Sequence, residues 1–518
     1  MRKKSLKKNA FILTIAGFIV KILGFAYRIF LANTIGAEGM GLYQLVLPIY
    51  GLILLGLTAG VGIAISRLVA EETAKGNNKN CVRIAVVSGV TIFIAGAIIV
   101  TVLLLNLDFV VGVLVGDTRT KTSLLYLLPA IPFIAAITTI KGYFYGKQEV
   151  VPNAISQVAE QVVKLLAVYL LADLFIHGDM TRKCLFATIG LIVGEIANVL
   201  TVLIAFRVRK PDKPSTNQKI MRKRDIGKSV LGISLPITAN RLILSLLGTV
   251  EFLLIPQRLL IHGLSSTEAL TQYGKFTGMA SPIISFPSML TGAIATALVP
   301  VIAEATAMKR MNMANRQISR SIRLTLVLGF WFSSLFMSFA NEISNLIYPG
   351  QNVGHMLYLL SFTGVFFYLQ QTLLGILNGL GKEKKTLMHS MITSILRLGV
   401  VWFGIPYYGL NAYIIALATG HFLGSILNLR VATKTTGISI NVGEWIVKPL
   451  VASISGIIAA RFIKMVVASV IQSQFIQLMF SGGLTALLMI GMLILMGVFE
   501  LKDIRHMIPF NIDKFRKL

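Results

Sequence analysis

MRKKSLKKNAFILTIAGFIVKILGFAYRIFLANTIG, residues 1–36, carries the pattern that decides the fold. Five cations, Arg2, Lys3, Lys4, Lys7 and Lys8, precede a long apolar run. The run exceeds the apolar core of a secretory signal, and no small-residue cleavage site follows it. It reads as a retained first membrane helix.

Outward from this stretch the same pattern recurs. Apolar runs of helix-spanning length lie near 10–32, 42–66, 83–107, 122–146, 153–176, 184–206, 229–252, 276–300, 321–345, 353–379, 387–408, 410–430, 445–468 and 475–500. At 1.5 Å per residue each crosses a hydrocarbon layer of roughly 30 Å. The segments are too long for membrane β-strands and do not alternate in polarity. The expectation is an all-α polytopic membrane protein of about fourteen transmembrane helices. The least regular regions are FLLIPQRLLIHGLSS, expected to break at Pro256 and Arg258, and the short PYYG join near 404–412.

Composition agrees. Apolar residues make up 55% of the 518 and charged residues 14%, where soluble domains carry roughly 25% charged. Lys and Arg number 49 against 21 Asp and Glu, a net charge of +28. In a soluble chain this would suggest nucleic acid. Here the cations lie in short links between apolar runs, so no nucleic-acid partner is expected. Placing both termini on one side gives that side 36 Lys and Arg and the other 8, with 5 inside the spans. The inequality predicts cytoplasmic termini and residence in the cytoplasmic (inner) membrane.

The longest polar link, RVRKPDKPSTNQKIMRKRD at 207–225, separates six stretches from eight. Similar pieces flank it. Gly190, Gly194 and Asn198 share their spacing with Gly420, Gly424 and Asn428; YFYGKQ at 143–148 resembles NGLGKE at 378–383, and LVAEE resembles VIAEA at a like offset. The expected organisation is an N-terminal lobe at 1–206, a cytoplasmic linker at 207–228, a C-terminal lobe at 229–430, and two further helices with a cytoplasmic tail at 431–518. Six intervening helices give both copies one orientation, so the lobes should be related by an axis along the membrane normal.

No phosphate loop, dinucleotide fingerprint, nucleophile elbow or zinc-spaced histidine pair is present. The six histidines (His177, His262, His355, His389, His421 and His506) are scattered and read as isolated side chains. Cys81 and Cys184 form no metal or disulfide pattern. The informative groups are charges within apolar runs: Lys21, Arg28, Lys164, Glu195, Arg241, Glu251 and Arg397. A charge at mid-bilayer costs at least about 2.5 kcal/mol, so each should face a cavity or a partner. Lys21 and Arg28 share one helix face. Arg28 and Glu251, near the ends of their runs, are placed to snorkel. Glu195 and Glu251 also read as coupling or ion-pair residues, Glu195 either as a proton carrier or as the partner of Lys164. The excess of cations suggests a cavity that holds an anionic head group through Arg28, Arg241, Arg397, Lys21 and Lys164. Pro129, Pro132, Pro236, Pro282 and Pro287 are hinge candidates.

ILGFAYRIFLANTIGAEGMGLYQLVLP, GVGIAISRLVAEE, GYFYGKQEVVPNAISQVAEQVVK, LPITANRLILSLLGTVEFLLIPQRL and TQYGKFTG together resemble the stage V sporulation protein B group. That group lies in the polysaccharide-export branch of the multidrug/oligosaccharidyl-lipid/polysaccharide (MOP) exporter superfamily, and is similar to the lipid II flippases. The resemblance implies two lobes in a V, a central basic cavity, and no ATP hydrolysis or covalent chemistry. It further implies a polyprenyl-diphosphate-linked glycan for wall, cortex or capsule synthesis as cargo, and a groove on the last two helices for its tail. No cofactor is expected beyond coupling to Na+, H+ or membrane potential. Implied partners are the anionic polyprenyl-linked lipid, membrane lipids and cell-wall synthesis proteins. The chain departs from the flippase pattern where Tyr27 and Arg28 follow Lys21, and where Ile49 to Leu55 carry no charge. Two alternatives are a cation-coupled multidrug or metabolite exporter, which predicts an acidic cavity, and a non-transporting scaffold in wall or cortex assembly. A glycan polymerase would need large outward loops that the chain lacks.

Overall fold

The computed structural model describes residues 2–209 and 220–498. The middle of the 207–228 link and the tail after 498 lie outside the described residues. Every regular element described is helical. In chain order these are α1 (Arg2–Thr58), α2 (Val61–Ala74), α3 (Asn78–Leu105), α4 (Leu107–Phe109), α5 (Lys121–Leu127), α6 (Ile131–Gly146), α7 (Val151–Ile176), α8 (Met180–Val208), α9 (Lys223–Ile261) and α10 (Ser266–Gly274). They continue with α11 (Ser281–Ser285), α12 (Ser288–Ala307), α13 (Met311–Ser338), α14 (Ala340–Ile347), α15 (Gly354–Gly379), α16 (Glu383–Phe403), α17 (Ile405–Tyr408), α18 (Leu410–Thr436), α19 (Lys448–Val470) and α20 (Gln474–Leu495). Among the described residues, 12 helical segments are long and apolar enough to cross a membrane. The protein is an all-α polytopic membrane protein.

Helix breaks follow backbone chemistry. A straight α1 would be roughly 85 Å long at 1.5 Å per residue, far beyond a bilayer. Gly36 interrupts it with φ 74° and ψ 179°, a conformation closed to side-chain-bearing residues. Pro129 lies in a tight turn between α5 and α6, and Pro132 stands in the first turn of α6. Pro282 opens α11, and Pro287 precedes α12. Each proline removes an N–H that a continuous helix would use.

Three boundaries depart from expectation. Pro256 does not break the chain, because α9 runs through Pro236 and Pro256 to Ile261. One missing donor is tolerated inside a membrane helix when neighbours satisfy the freed carbonyl. The second apolar stretch, expected to be continuous, is interrupted at Ala59–Gly60. The ninth divides at Phe339 into α13 and α14. The start of α10 is fixed by a capping box, in which the Ser265 N–H and hydroxyl donate to Glu268 at 2.9 and 2.7 Å and hold its carboxyl below the usual range.

The chain forms two compact units: residues 1–279 with 394–413, and residues 280–393 with 414–518. In the first, Val61, Ala64, Ile65 and Leu68 of α2 pack with Ile84 of α3 and with Ile226 and Val230 of α9. In the second, Leu298 and Ile302 of α12 pack with Ile318, Ile322 and Leu326 of α13 and with Leu373, Ile376 and Leu377 of α15.

In lipid, close packing replaces hydrophobic burial as the force between helices, so small residues mark the seams. Within the first unit a methyl at Gly142 would lie 2.9 Å from the Gly62 carbonyl, and one at Gly146 would lie 2.7 Å from that of Ser66. Within the second, Gly375 and Gly379 meet the carbonyls of Ala295 and Val299 at 2.6 and 3.0 Å. Positions 62, 66, 142 and 146 of the first seam correspond to 295, 299, 375 and 379 of the second by one common shift in number, with the two glycines of one side kept, so each unit builds its seam from corresponding positions.

Candidate functional site

A polar cluster lies inside the first unit, on α1, α7 and α8. Close approach creates it: a methyl on Gly194 of α8 would lie 2.9 Å from Lys164 Cβ and 3.1 Å from the Glu160 carbonyl of α7. One turn further along α8, Asn198 therefore reaches two carboxylates. Its amide donates to Glu160 at 3.0 Å and to Glu195 at 3.4 Å. Glu195 also accepts from the Tyr50 hydroxyl at 3.0 Å, and Glu160 from Gln161 at 3.0 Å.

Lys164 stands 3.7 Å from Glu160, one turn away on its own helix, and 5.2 Å from the centre of the Tyr27 ring. Both partners have largely buried side chains. Pairing with Glu195 is one of the two readings that the sequence leaves open. Lys164 instead pairs with the carboxylate directly below it, while Glu195 is held by Tyr50 and Asn198. Two carboxylates bridged by one amide can hold a proton or a small cation between them, because each added positive charge relieves their repulsion. Asn198 Oδ1 is buried without a hydrogen-bond partner among the described residues.

This arrangement predicts a specific loss. Asn198→Ala removes donors to two carboxylates and should lower stability by about 1.5–3 kcal/mol, the range for hydrogen bonds to charged groups. A downward shift in the thermal unfolding midpoint of the detergent-solubilised protein would report it, with Tyr50→Phe giving a smaller shift.

A second cluster in the same unit joins α9, α16 and α18. The Arg397 guanidinium donates to Glu251 through Nε at 2.8 Å and Nη2 at 3.1 Å, and to Ser394 Oγ at 3.1 Å. The Tyr413 hydroxyl donates to Glu251 at 2.7 Å. Glu251 does not snorkel: it is 2% exposed, because α9 continues to Ile261 and leaves it well inside the helix. Arg397, read as a cavity cation, has its planar fork engaged by Glu251.

Lys21, Arg28 and Arg241 differ from these. All three have exposed side chains within helical spans, and no salt bridge joins any of them to a carboxylate among the described residues. Of the hinge-candidate prolines, Pro236 lies inside α9 on the same helix as Arg241, and the others stand at the helix starts and turns given above.

Some histidines are not isolated. His389, 5% exposed, lies with Nδ1 2.8 Å from Asn428 Oδ1; His421 Nδ1 is 2.5 Å from Gln370 Oε1, and His262 Nδ1 is 3.0 Å from the Pro406 carbonyl. His506 lies outside the described residues. Cys81 and Cys184 are free and buried.

The residue that sequence reasoning missed is Glu160. Its available signal was the E-x-x-x-K spacing to Lys164 within an apolar run, since residues four apart share a helix face. Nothing local marks Tyr50, whose partner lies on another helix.

Residues 6–306 match the family described as polysaccharide biosynthesis protein, and residues 259–403 match the MatE family. Stage V sporulation protein B of Bacillus subtilis (strain 168) is 30% identical over 464 residues, which span 89% of this chain and 90% of that protein. Among solved structures, lipid II flippase MurJ in an inward closed conformation superposes with a TM-score of 0.67 at 13% identity, covering 92% of this chain and 98% of that one. An inward-facing multidrug resistance MATE family transporter of the MOP superfamily gives 0.62 at 15% identity, covering 81% and 96%. Both structural likenesses concern the fold.

Proposed function

The chain belongs to the polysaccharide biosynthesis protein family of the MOP superfamily, and from that premise we propose that it is a flippase without covalent chemistry of its own. Its cargo is a polyprenyl-diphosphate-linked glycan, lipid II or a related wall precursor, moved across the cytoplasmic membrane by alternating access. The observation that carries this reading is the set of cations Lys21, Arg28 and Arg241 within apolar helices, exposed and without a carboxylate partner among the described residues. A charge held in a membrane helix at a cost of about 2.5 kcal/mol or more marks a ligand path, and cations mark an anionic ligand. Arg397 is assigned a positioning role beside Glu251, and Lys164 serves the carboxylate cluster.

Fourteen spans remain the reading. Its support is that the first apolar segment, Phe11–Ala74, is 64 residues long and broken at Gly36. The 26-residue α7 supplies another, in which Glu160, Lys164 and Asp173 are the charged residues. Lobes at 1–206 and 229–430 are supported by the recurring glycine seams, and cytoplasmic termini by the charge inequality. Glu160 and Glu195 are the proposed carriers of the coupling proton or Na+, with Tyr50 and Asn198 as their supporting donors. Membrane lipids and wall-synthesis proteins are the proposed neighbours in the cell.

The MatE match supports a second reading, a cation-coupled exporter of drugs or metabolites. Its cargo would meet repulsion from the unpaired cations. In liposomes the purified protein should carry labelled polyprenyl-diphosphate glycan between leaflets, and organic cations should compete poorly. Export of organic cations without any change in the leaflet distribution of polyprenyl-linked lipid would replace the first reading with the second.

A further inference from the structure

Two glycines at opposite ends of the second apolar stretch make backbone-to-backbone contacts that no other residue permits. At the end near the Gly36 break, the segment of α1 after Gly36 lies on α10. A methyl at Gly41 would overlap the Leu270 carbonyl, and one at Gly274 would overlap the Ala37 carbonyl and come 2.6 Å from Gly41 N. The same contact is stitched by Gln44 Nε2 to the Thr277 carbonyl at 3.4 Å, and by the Tyr273 hydroxyl to the Gln44 carbonyl at 3.5 Å.

At the other end, Gly60 lies on α9. A methyl there would come 2.7 Å from Ser234 Cα and overlap that residue's carbonyl, while the Gly60 N–H donates to Thr238 Oγ1 at 3.0 Å. The helix is interrupted immediately before Gly60, so Thr238 satisfies an amide at the break. Gly41 and Gly60 are separated by roughly 28 Å of helical rise, close to the hydrocarbon thickness of about 30 Å. Gly51, between them, is open: a methyl added there would meet no heavy atom within 4 Å.

We infer that Gly41 and Gly60 are two independent latches, one at each membrane face, and that opening either face of the transporter requires releasing its own glycine contact while the other stays closed. This rests on the transport reading above, with the termini cytoplasmic and the Gly41 contact facing outward. A bilayer-spanning element whose closest approaches at both ends are backbone to backbone, each reinforced by one or two side-chain hydrogen bonds, can separate at one end while the other holds. The occluded arrangement is then the one with both latches shut, and a methyl at either glycine biases the protein toward opening at that end.

The test reads accessibility rather than transport. Reporter cysteines Met40→Cys, at the outward contact, and Ser234→Cys, at the inward one, are introduced separately into the full-length protein in sided membrane vesicles. Their rates of modification by a membrane-impermeant thiol reagent are compared, with the buried native thiols setting the background. Gly41→Ala should raise labelling of the Met40→Cys reporter from outside about tenfold, the ratio that a penalty of about 1.4 kcal/mol on one of two states produces. It should leave the Ser234→Cys reporter unchanged or slower from inside. Thr238→Val, which removes the bond to Gly60 without adding bulk, should raise only the inward reporter. Gly51→Ala should move neither.

If Gly41→Ala fails to reach the membrane, Thr238→Val decides alone. Opening of both faces by one variant, a response at the face opposite the substitution, or no response to either would overturn the inference. Opposite responses in a protein that moves no polyprenyl-linked lipid would leave the latches standing and remove the cargo reading. Flipping with unchanged labelling would do the reverse.

Discussion

Glu251→Ala should leave little folded protein in the membrane. The substitution strips Arg397 of its two-pronged partner and Tyr413 of its acceptor, at a site where the Glu251 side chain is 3% and the Arg397 side chain 16% exposed. Breaking a buried ion pair by removing one member costs about 3–5 kcal/mol, because the remaining charge stays desolvated and unpaired. The check is a rescue. Arg397→Met in the Glu251→Ala background should restore accumulation and thermal stability toward wild type, since it removes the orphaned charge. If the double variant is no better than Glu251→Ala alone, the damage comes from lost packing and the ion pair is not its source. Arg397→Met alone should be milder than Glu251→Ala, because Glu251 keeps the Tyr413 hydroxyl as a donor, whereas Glu251→Ala orphans both Arg397 and Tyr413.

The second large effect concerns transport at unchanged stability. Arg241→Ala removes a cation with no carboxylate partner among the described residues, so the fold should keep its melting temperature. A charge-assisted contact to a diphosphate contributes about 1.5–3 kcal/mol, so cargo flipping at matched protein density should fall roughly 10- to 150-fold. Arg241→Lys should recover part of this, keeping charge but losing the planar fork. Wild-type flipping by Arg241→Ala would remove the residue from the cargo path. A collapse in stability would mean that its side chain holds the helix in place.

The helical class and the positions of the apolar segments are legible because lipid imposes a length and a polarity that composition alone records. The breaks divide by cause. Those at Pro129, Pro132 and Pro287 are written in the covalent structure of the residue, whereas Pro256 is tolerated because satisfaction of the freed carbonyl depends on neighbours that sequence does not reveal. Glu251 shows how one boundary error propagates. Ending its helix near 252 places the carboxylate at a water interface, but continuing α9 to Ile261 buries it and obliges a partner. That partner, Arg397, is 146 positions away, beyond any periodicity argument. The α7–α8 cluster is half legible: Glu195 and Lys164 stand out as charges in apolar runs, and Asn198 as a mark of repetition. Their actual pairing, Lys164 with Glu160 and Glu195 with Tyr50, is a property of interhelical distance.

Asn198 and Asn428 occupy comparable places in the two units. Each sits four residues beyond a glycine: Gly194 meets Lys164 and the Glu160 carbonyl, and Gly424 meets Gln370 first and Thr393 next. Asn198 holds Glu160, and Asn428 holds His389, at nearly the same displacement along the chain. The same amide position thus serves a carboxylate in one unit and an imidazole in the other. One and the same change, asparagine to aspartate, would therefore read oppositely in the two units: as a second, repelled charge beside Glu160, and as an acceptor still within reach of His389.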